Sequence, residues 1–132
     1  MKAILVDSNV LIDFFKLDSE WNEWAESQIY KHSGTLIINP IIYAEVSLRF
    51  ADESELNKAI PPSVISRQPL PWNAAFPAAR AFMQYRKNGG AKTSVMPDFY
   101  IGAHAMVKNI PLLTRDLRRY KTYFPGLELI TP

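Results

Sequence analysis

The chain has 132 residues and a mass of 15.1 kDa, with 48% hydrophobic and 21% charged residues, the make-up of one globular domain rather than a disordered or fibrous chain. It has no cysteine, which excludes a disulfide scaffold, a zinc ribbon, a thiol nucleophile and a cysteine-ligated iron–sulfur cluster. The net charge of +2 is unevenly spread: residues 1–60 carry five Lys/Arg against ten Asp/Glu, and residues 61–132 carry ten against three.

Ala3–Val6 is a short apolar run and reads as a buried strand. Asp7 interrupts it, too early for a signal peptide, and no later run nears the roughly 18 residues of a membrane span, so a cytoplasmic protein is expected. Helices are expected over Ser8–Lys16 and Asp18–His32, the second on the spacing of Trp21, Trp24, Ala25 and Ile29. Thr35–Ile38 reads as a strand. Asn39 followed by Pro40 is a cap with proline at the first helical position, and a helix runs on to about Phe50. Asp52–Ile60 is a short helix stopped by Pro61–Pro62. Pro69–Pro71 leads into a longer helix, Asn73–Lys87, which Gly89–Gly90 ends. Lys92–Met96 reads as a loop and Pro97–Lys108 as a helix. Ile110–Thr114 is a strand, Asp116–Tyr123 a helix and Leu127–Ile130 a last strand. Strands alternating with helices predict an α/β fold with a mostly parallel sheet, as one domain over residues 1–132.

Four carboxylates stand at telling places. In open α/β sheets ligands gather beyond the C-terminal ends of the strands. Asp7 follows the first strand directly, and Asp116 follows the Ile110–Thr114 strand after one residue. Either alone also reads as a helix cap. Glu45 lies on or beside the apolar face formed by Ile41, Ile42, Val46 and Leu48, where an unpaired charge is costly. Asp98 opens a helix whose Gly102, Ala103 and Ala105 would allow close approach to the sheet. Together the four suggest one acidic cluster. Bare carboxylates cannot converge without raising one another's pKa, and a divalent cation resolves that. All-oxygen ligation without cysteine favours Mg²⁺ or Mn²⁺ over zinc, and such a site suits phosphodiester hydrolysis. The basic second half suggests a polyanionic partner, nucleic acid first.

The segments DSNVLIDFF, YAEV around Glu45, MPDFYIGAHA around Asp98 and PLLTRDLRRYKTYFPGLELI resemble the PIN domain. More narrowly they resemble the VapC toxins of type II VapBC toxin–antitoxin pairs. The likeness runs from Asp7 almost to the C-terminus. It implies a three-layer α/β/α sandwich and a Mg²⁺- or Mn²⁺-dependent endoribonuclease acting on structured RNA, tRNA or rRNA. Carried over by position, Asp7 and Asp98 are the principal metal ligands, with Glu45 and Asp116 completing the catalytic quartet. Ser8, Asn9 and Thr114 are supporting polar residues, and His104 packs or hydrogen-bonds rather than acting as a base. The implied chemistry is in-line attack of water, oriented by Asp116 or Glu45, leaving a 5′-phosphate and a 3′-hydroxyl. Arg115, Arg118, Arg119 and Lys121, with Tyr120 and Tyr123 interleaved, are the candidate RNA-binding residues. The resemblance also implies a cognate VapB antitoxin and a homodimer. Ile12, Phe15, Leu17, Trp21 and Trp24 supply apolar surface for a partner helix.

The alternatives are a PIN-like DNA nuclease, a phosphatase, or a non-catalytic RNA-binding adaptor. Position 9 is Asn, so the DxD spacing of aspartate-nucleophile phosphatases is missing. An adaptor would bind RNA equally with and without Mg²⁺.

Overall fold

The computed structural model describes residues 2–92 and 95–132. Its strands are β1 (Ile4–Val6), β2 (Leu36–Ile38), β3 (Ile65–Arg67), β4 (Leu112–Leu113) and β5 (Leu129–Ile130). They form one sheet in the order β3-β2-β1-β4-β5, and every pairing is parallel. The helices are α1 (Ser8–Phe15), α2 (Asn22–Lys31), α3 (Pro40–Ser47), α4 (Glu53–Ala59), α5 (Ala75–Lys87), α6 (Met96–Lys108) and α7 (Leu117–Tyr123), with a 3₁₀ turn over Trp72–Ala74 before α5.

The layering follows from the strand order. From β1 the chain steps outward to β2 and β3, then jumps back across β1 to β4 and β5. Right-handed crossovers therefore place α1 to α4 on one face and α5 to α7 on the other. The result is the α/β/α sandwich expected. Because helices cover both faces, strands β1, β2 and β4 are buried on both sides and read as unbroken apolar runs, ILV, LII and LL. One core runs through the sheet to Val10, Leu11, Ile42, Val46, Phe99, Ile101 and Phe124.

Three departures from the expected elements have physical causes. Strand β3 is absent from the sequence reading because Val64–Arg67 lies between two proline pairs and is only three residues long in the sheet. It exists because β2 offers it a ladder: Ile65, Ser66 and Arg67 align with Leu36, Ile37 and Ile38. Leu48, counted on the apolar face of α3, is 86% exposed, because the helix ends at Ser47. Met96, placed in a loop, is the first residue of α6; Thr93 and Ser94 of that expected loop lie outside the described residues.

Caps fix the edges that carry function. The Asn39 side chain accepts the Ile42 N–H at 2.9 Å. That fixes its amide nitrogen as the donor to Nδ1 of buried His104 at 3.0 Å, so the imidazole proton sits on Nε2. Burial first, then nearby Lys108, holds His104 down to about 4. It is a neutral tie between the end of β2 and α6.

A Cβ on Gly102 would lie 2.4 Å from the ring of Phe124, the residue after α7, and that ring is itself buried. Gly102→Ala is therefore expected to lower stability by about 1–3 kcal/mol through overpacking. Denaturant unfolding checks this, and an unchanged midpoint would contradict it.

Candidate active site

The chain reverses its direction of travel across the sheet between β1 and β4. That is the topological switch point, and the crevice beyond the strand ends there is where α/β folds place their sites. Asp7 leaves β1 at this point, and its N–H continues the ladder to the Leu113 carbonyl at 2.9 Å. Thr114 leaves β4 beside it.

Asp7 stands at the N-cap position of α1, yet its side chain makes no capping bond. It is only 3% exposed. Its Oδ2 instead accepts from the Thr114 hydroxyl at 2.8 Å, the Tyr120 hydroxyl at 3.0 Å and the Asn9 amide at 3.2 Å. Thr114 Oγ1 accepts the backbone N–H of Asp116 at 3.0 Å, which leaves its own proton for Asp7. Among the described residues all these donors fall on Oδ2, leaving Oδ1 without one. Burial, then the nearby charge of Asp98, pushes Asp7 up to about 7 against the opposing effect of the Thr114 and Tyr120 hydroxyls, with Glu45 adding a smaller rise. The Tyr120 hydroxyl is held well above its ordinary range by burial, and then by Asp7 and Asp98. It remains a proton donor to Asp7.

Glu45 comes in from α3. Its Oε1 accepts the Ser8 hydroxyl at 3.0 Å. Burial raises it, with a smaller push from Asp98, while Ser8 works against the rise. Asp98 sits in the first turn of α6 but caps nothing. Its Oδ2 is bound by the guanidinium of Arg119. Burial raises Asp98, with a smaller push from Asp116, and the Arg119 contact opposes it. Asp116 does cap its helix: its Oδ1 accepts the Arg119 N–H at 3.2 Å. The capping alternative therefore holds for Asp116 and fails for Asp7 and Asp98.

The structure thus brings Asp7, Glu45 and Asp98 into mutual electrostatic reach and Asp116 into reach of Asp98, with Ser8, Asn9 and Thr114 bonded among them. Among the described residues no three His, Asp or Glu side chains stand close enough together to hold one ion as they are placed. Asp98 is turned onto Arg119. The donor set still fits a hard cation: it is all oxygen, and at each of Asp7, Glu45 and Asp98 the bonds named here engage a single oxygen.

The basic residues divide. Arg115 Nε donates to the buried carboxylate of Asp13 at 2.7 Å, which Ser19 also contacts at 3.0 Å, and its guanidinium lies 5.8 Å from the centre of the Trp21 ring. Arg119 is held on Asp98. Arg118 and Lys121 are exposed on α7. Tyr120, expected to stack on bases, is buried and bonded to Asp7, while half-buried Tyr123 packs on Phe99 and Tyr85. Sequence reasoning missed Asp13 and the inward turn of Tyr120. A helical turn separates Tyr120 from Asp116, and that spacing was the available signal.

The PIN domain family model matches residues 4–125. The chain belongs to the PIN-domain family. Among solved structures, this PIN domain is similar to VapBC2 from Rickettsia felis bound to a DNA fragment from their promoter, at 16% identity and TM-score 0.71 over 98% of both chains. It is similar to a toxin–antitoxin complex from Klebsiella pneumoniae, at 22% identity and TM-score 0.71 over 98% of both. It is also similar to VapC20 from Mycobacterium tuberculosis, a sarcin–ricin loop cleaving toxin, at 13% identity and TM-score 0.68 over 98% of this chain and 100% of that one. At such identities the likeness is one of fold. A comparison with curated proteins returns no match.

Asp7 sets a stability test. The folded PIN domain holds the Asp7 proton up to about pH 7, against about 3.8 for a free carboxyl. Between those values the folded state binds more protons, so stability present below pH 4 is lost as pH rises toward 7. In metal-free protein Asp7→Asn is expected to melt like the parent near pH 4 and to be more stable at pH 8, by up to about 4 kcal/mol. A variant less stable at pH 8 would show that the ionised carboxylate costs nothing.

Proposed function

We propose that this PIN domain is the toxin of a VapBC-type toxin–antitoxin pair. It is an endoribonuclease dependent on Mg²⁺ or Mn²⁺, hydrolyses structured RNA (tRNA or rRNA), and is neutralised by a VapB-like antitoxin. The observation that carries the reading is Asp7. It is a buried carboxylate that caps no helix, is fixed on one oxygen by three donors, and lies within electrostatic reach of Asp98 and Glu45 at the switch point of the sheet.

Asp7 and Asp98 would hold the cation, with Glu45 and Asp116 beside them. When bound, a divalent ion there lets the acids ionise, polarises the phosphoryl oxygens and lowers the pKa of water. The protein's own groups do the rest. Thr114, Tyr120 and Asn9 fix Asp7 against rotation. Ser8 holds Oε1 of Glu45, which leaves Oε2 to accept the proton of the attacking water. Attack in line forms the new O–P bond as the bond to the 3′-oxygen breaks; that oxygen takes a proton from solvent water, giving a 5′-phosphate and a 3′-hydroxyl. Exposed Arg118 and Lys121 are placed to hold the phosphates of the strand.

The partner surface lies on the acidic half. A groove of about 390 Å³ is lined by Ile12, Phe15 and Phe50 with Lys16 and Arg49, and Leu17, 83% exposed, stands among the exposed apolar residues of this half, as does Leu48. This suits the apolar face of an antitoxin helix. The homodimer has a candidate face in Trp72, Phe76 and Met83, which are exposed at helical spacing from the 3₁₀ turn along α5. No helix among the described residues is long and apolar enough to cross a membrane.

Antitoxin-free protein, incubated with total cellular RNA and Mn²⁺ or Mg²⁺, is expected to make discrete cuts with 5′-phosphate ends. EDTA and Asp98→Asn should abolish them, and Glu45→Gln should slow them by about a hundredfold or more. A folded, metal-supplied parent protein that cuts no RNA would overturn the reading and return the site to a DNA nuclease or a phosphatase. RNA binding indifferent to Mg²⁺, without cutting, would indicate an adaptor.

A further inference from the structure

Arg119 is placed against ordinary helix electrostatics. It is the third residue of α7, in the first turn, where the helix dipole favours anions and disfavours a cation. What holds it there is the acid cluster. Its guanidinium binds Oδ2 of Asp98, and its backbone N–H is capped by Oδ1 of Asp116. It also lies 6.0 Å from the centre of the Tyr85 ring, and Tyr85 is braced by Phe82, Phe99 and Tyr123. Only about a quarter of each side chain in the Arg119–Asp98 pair is exposed, 24% and 26%. The contact is partly shielded, yet still open to an ion from solvent.

Asp98 is also one of the two acids that would hold the divalent cation, so the carboxylate has two claimants. We propose, resting on the metal-dependent reading above, that Arg119 is an internal counter-cation that competes with the divalent ion for Asp98 and so sets the metal concentration at which the site loads. In the metal-free protein the guanidinium is bound to Asp98 and lies within electrostatic reach of Asp116. When the ion takes Asp98, the guanidinium keeps a second station over the Tyr85 ring, beside Asp116, and is free to meet a phosphodiester. A single charge on a mobile side chain can be displaced by a divalent ion, because the ion gains from several carboxylates at once.

The test is Mn²⁺ binding, followed by the electron paramagnetic resonance signal of free Mn²⁺ at pH 7.5 without RNA. The samples are the parent chain, Arg119→Gln, Arg119→Met and Arg118→Gln. Arg118→Gln removes the same charge one residue away, from a side chain that is not on Asp98. Circular dichroism confirms that each variant is folded. Both Arg119 variants are expected to bind Mn²⁺ about tenfold more tightly than the parent, the scale of one charge-assisted contact released. Arg118→Gln should stay within about twofold, because an exposed charge is screened. Arg119 variants that bind no more tightly than Arg118→Gln, while the parent does bind, would overturn the competition and leave the metal site standing. No Mn²⁺ binding by any of the four proteins would overturn the metal-dependent reading itself, and the competition with it.

Discussion

Burial of carboxylates in one crevice, with their mutual repulsion added to it, is the constraint around which this molecule is arranged. Asp7, Glu45 and Asp98 come within electrostatic reach of one another where the parallel sheet changes direction, with Asp116 beside Asp98, and the first three are pushed toward protonation chiefly by burial. A fold assembled for stability alone would pair such groups fully or replace them with apolar ones. Here each is instead given only partial compensation. Asp7 has three donors on one oxygen, Glu45 has the Ser8 hydroxyl, Asp98 has Arg119, and Asp116 has the first turn of α7. What remains uncompensated is charge that a cation can neutralise.

Helix α7 carries much of this compensation. Asp116, Arg119 and Tyr120 fall within one turn and a half, so they share a face; they reach the helix's own N-terminus, Asp98 and Asp7 respectively. Packing keeps the helix in place. Phe124, just after its end, fills the space left by Gly102 on α6, so the helix bearing Asp98 is seated against the chain that follows α7. Stability and site geometry are coupled there: a side chain added at Gly102 would move the acid on α6 relative to the arginine and tyrosine on α7.

The architecture was legible where periodicity and caps were strong. Strands β1, β2 and β4 announce themselves as apolar runs, Asn39–Pro40 marks the start of α3, and strand–helix alternation predicts a parallel sheet. Strand β3 was not legible, because three residues between proline pairs form a strand only when a neighbouring edge offers hydrogen bonds. The clustering of the acids could be read from strand ends and helix starts. Their partners could not. That Arg119 turns inward while Arg118 stays exposed depends on which face of α7 meets α6. That Tyr120 is buried depends on Asp7 needing a donor. Arg115 likewise looks like a free cation until Asp13, 102 positions away in the chain, is brought beside it.

The most direct measurement of this arrangement is the titration of Asp7 itself, followed by carboxyl-carbon NMR in metal-free protein and again with saturating Mg²⁺. If uncompensated carboxylate charge awaiting a cation is what organises the site, Asp7 should titrate near 7 without metal and fall well below that value when Mg²⁺ is added. An Asp7 that titrates near 4, unmoved by Mg²⁺, would mean that the protein alone satisfies the cluster and that no cation is required.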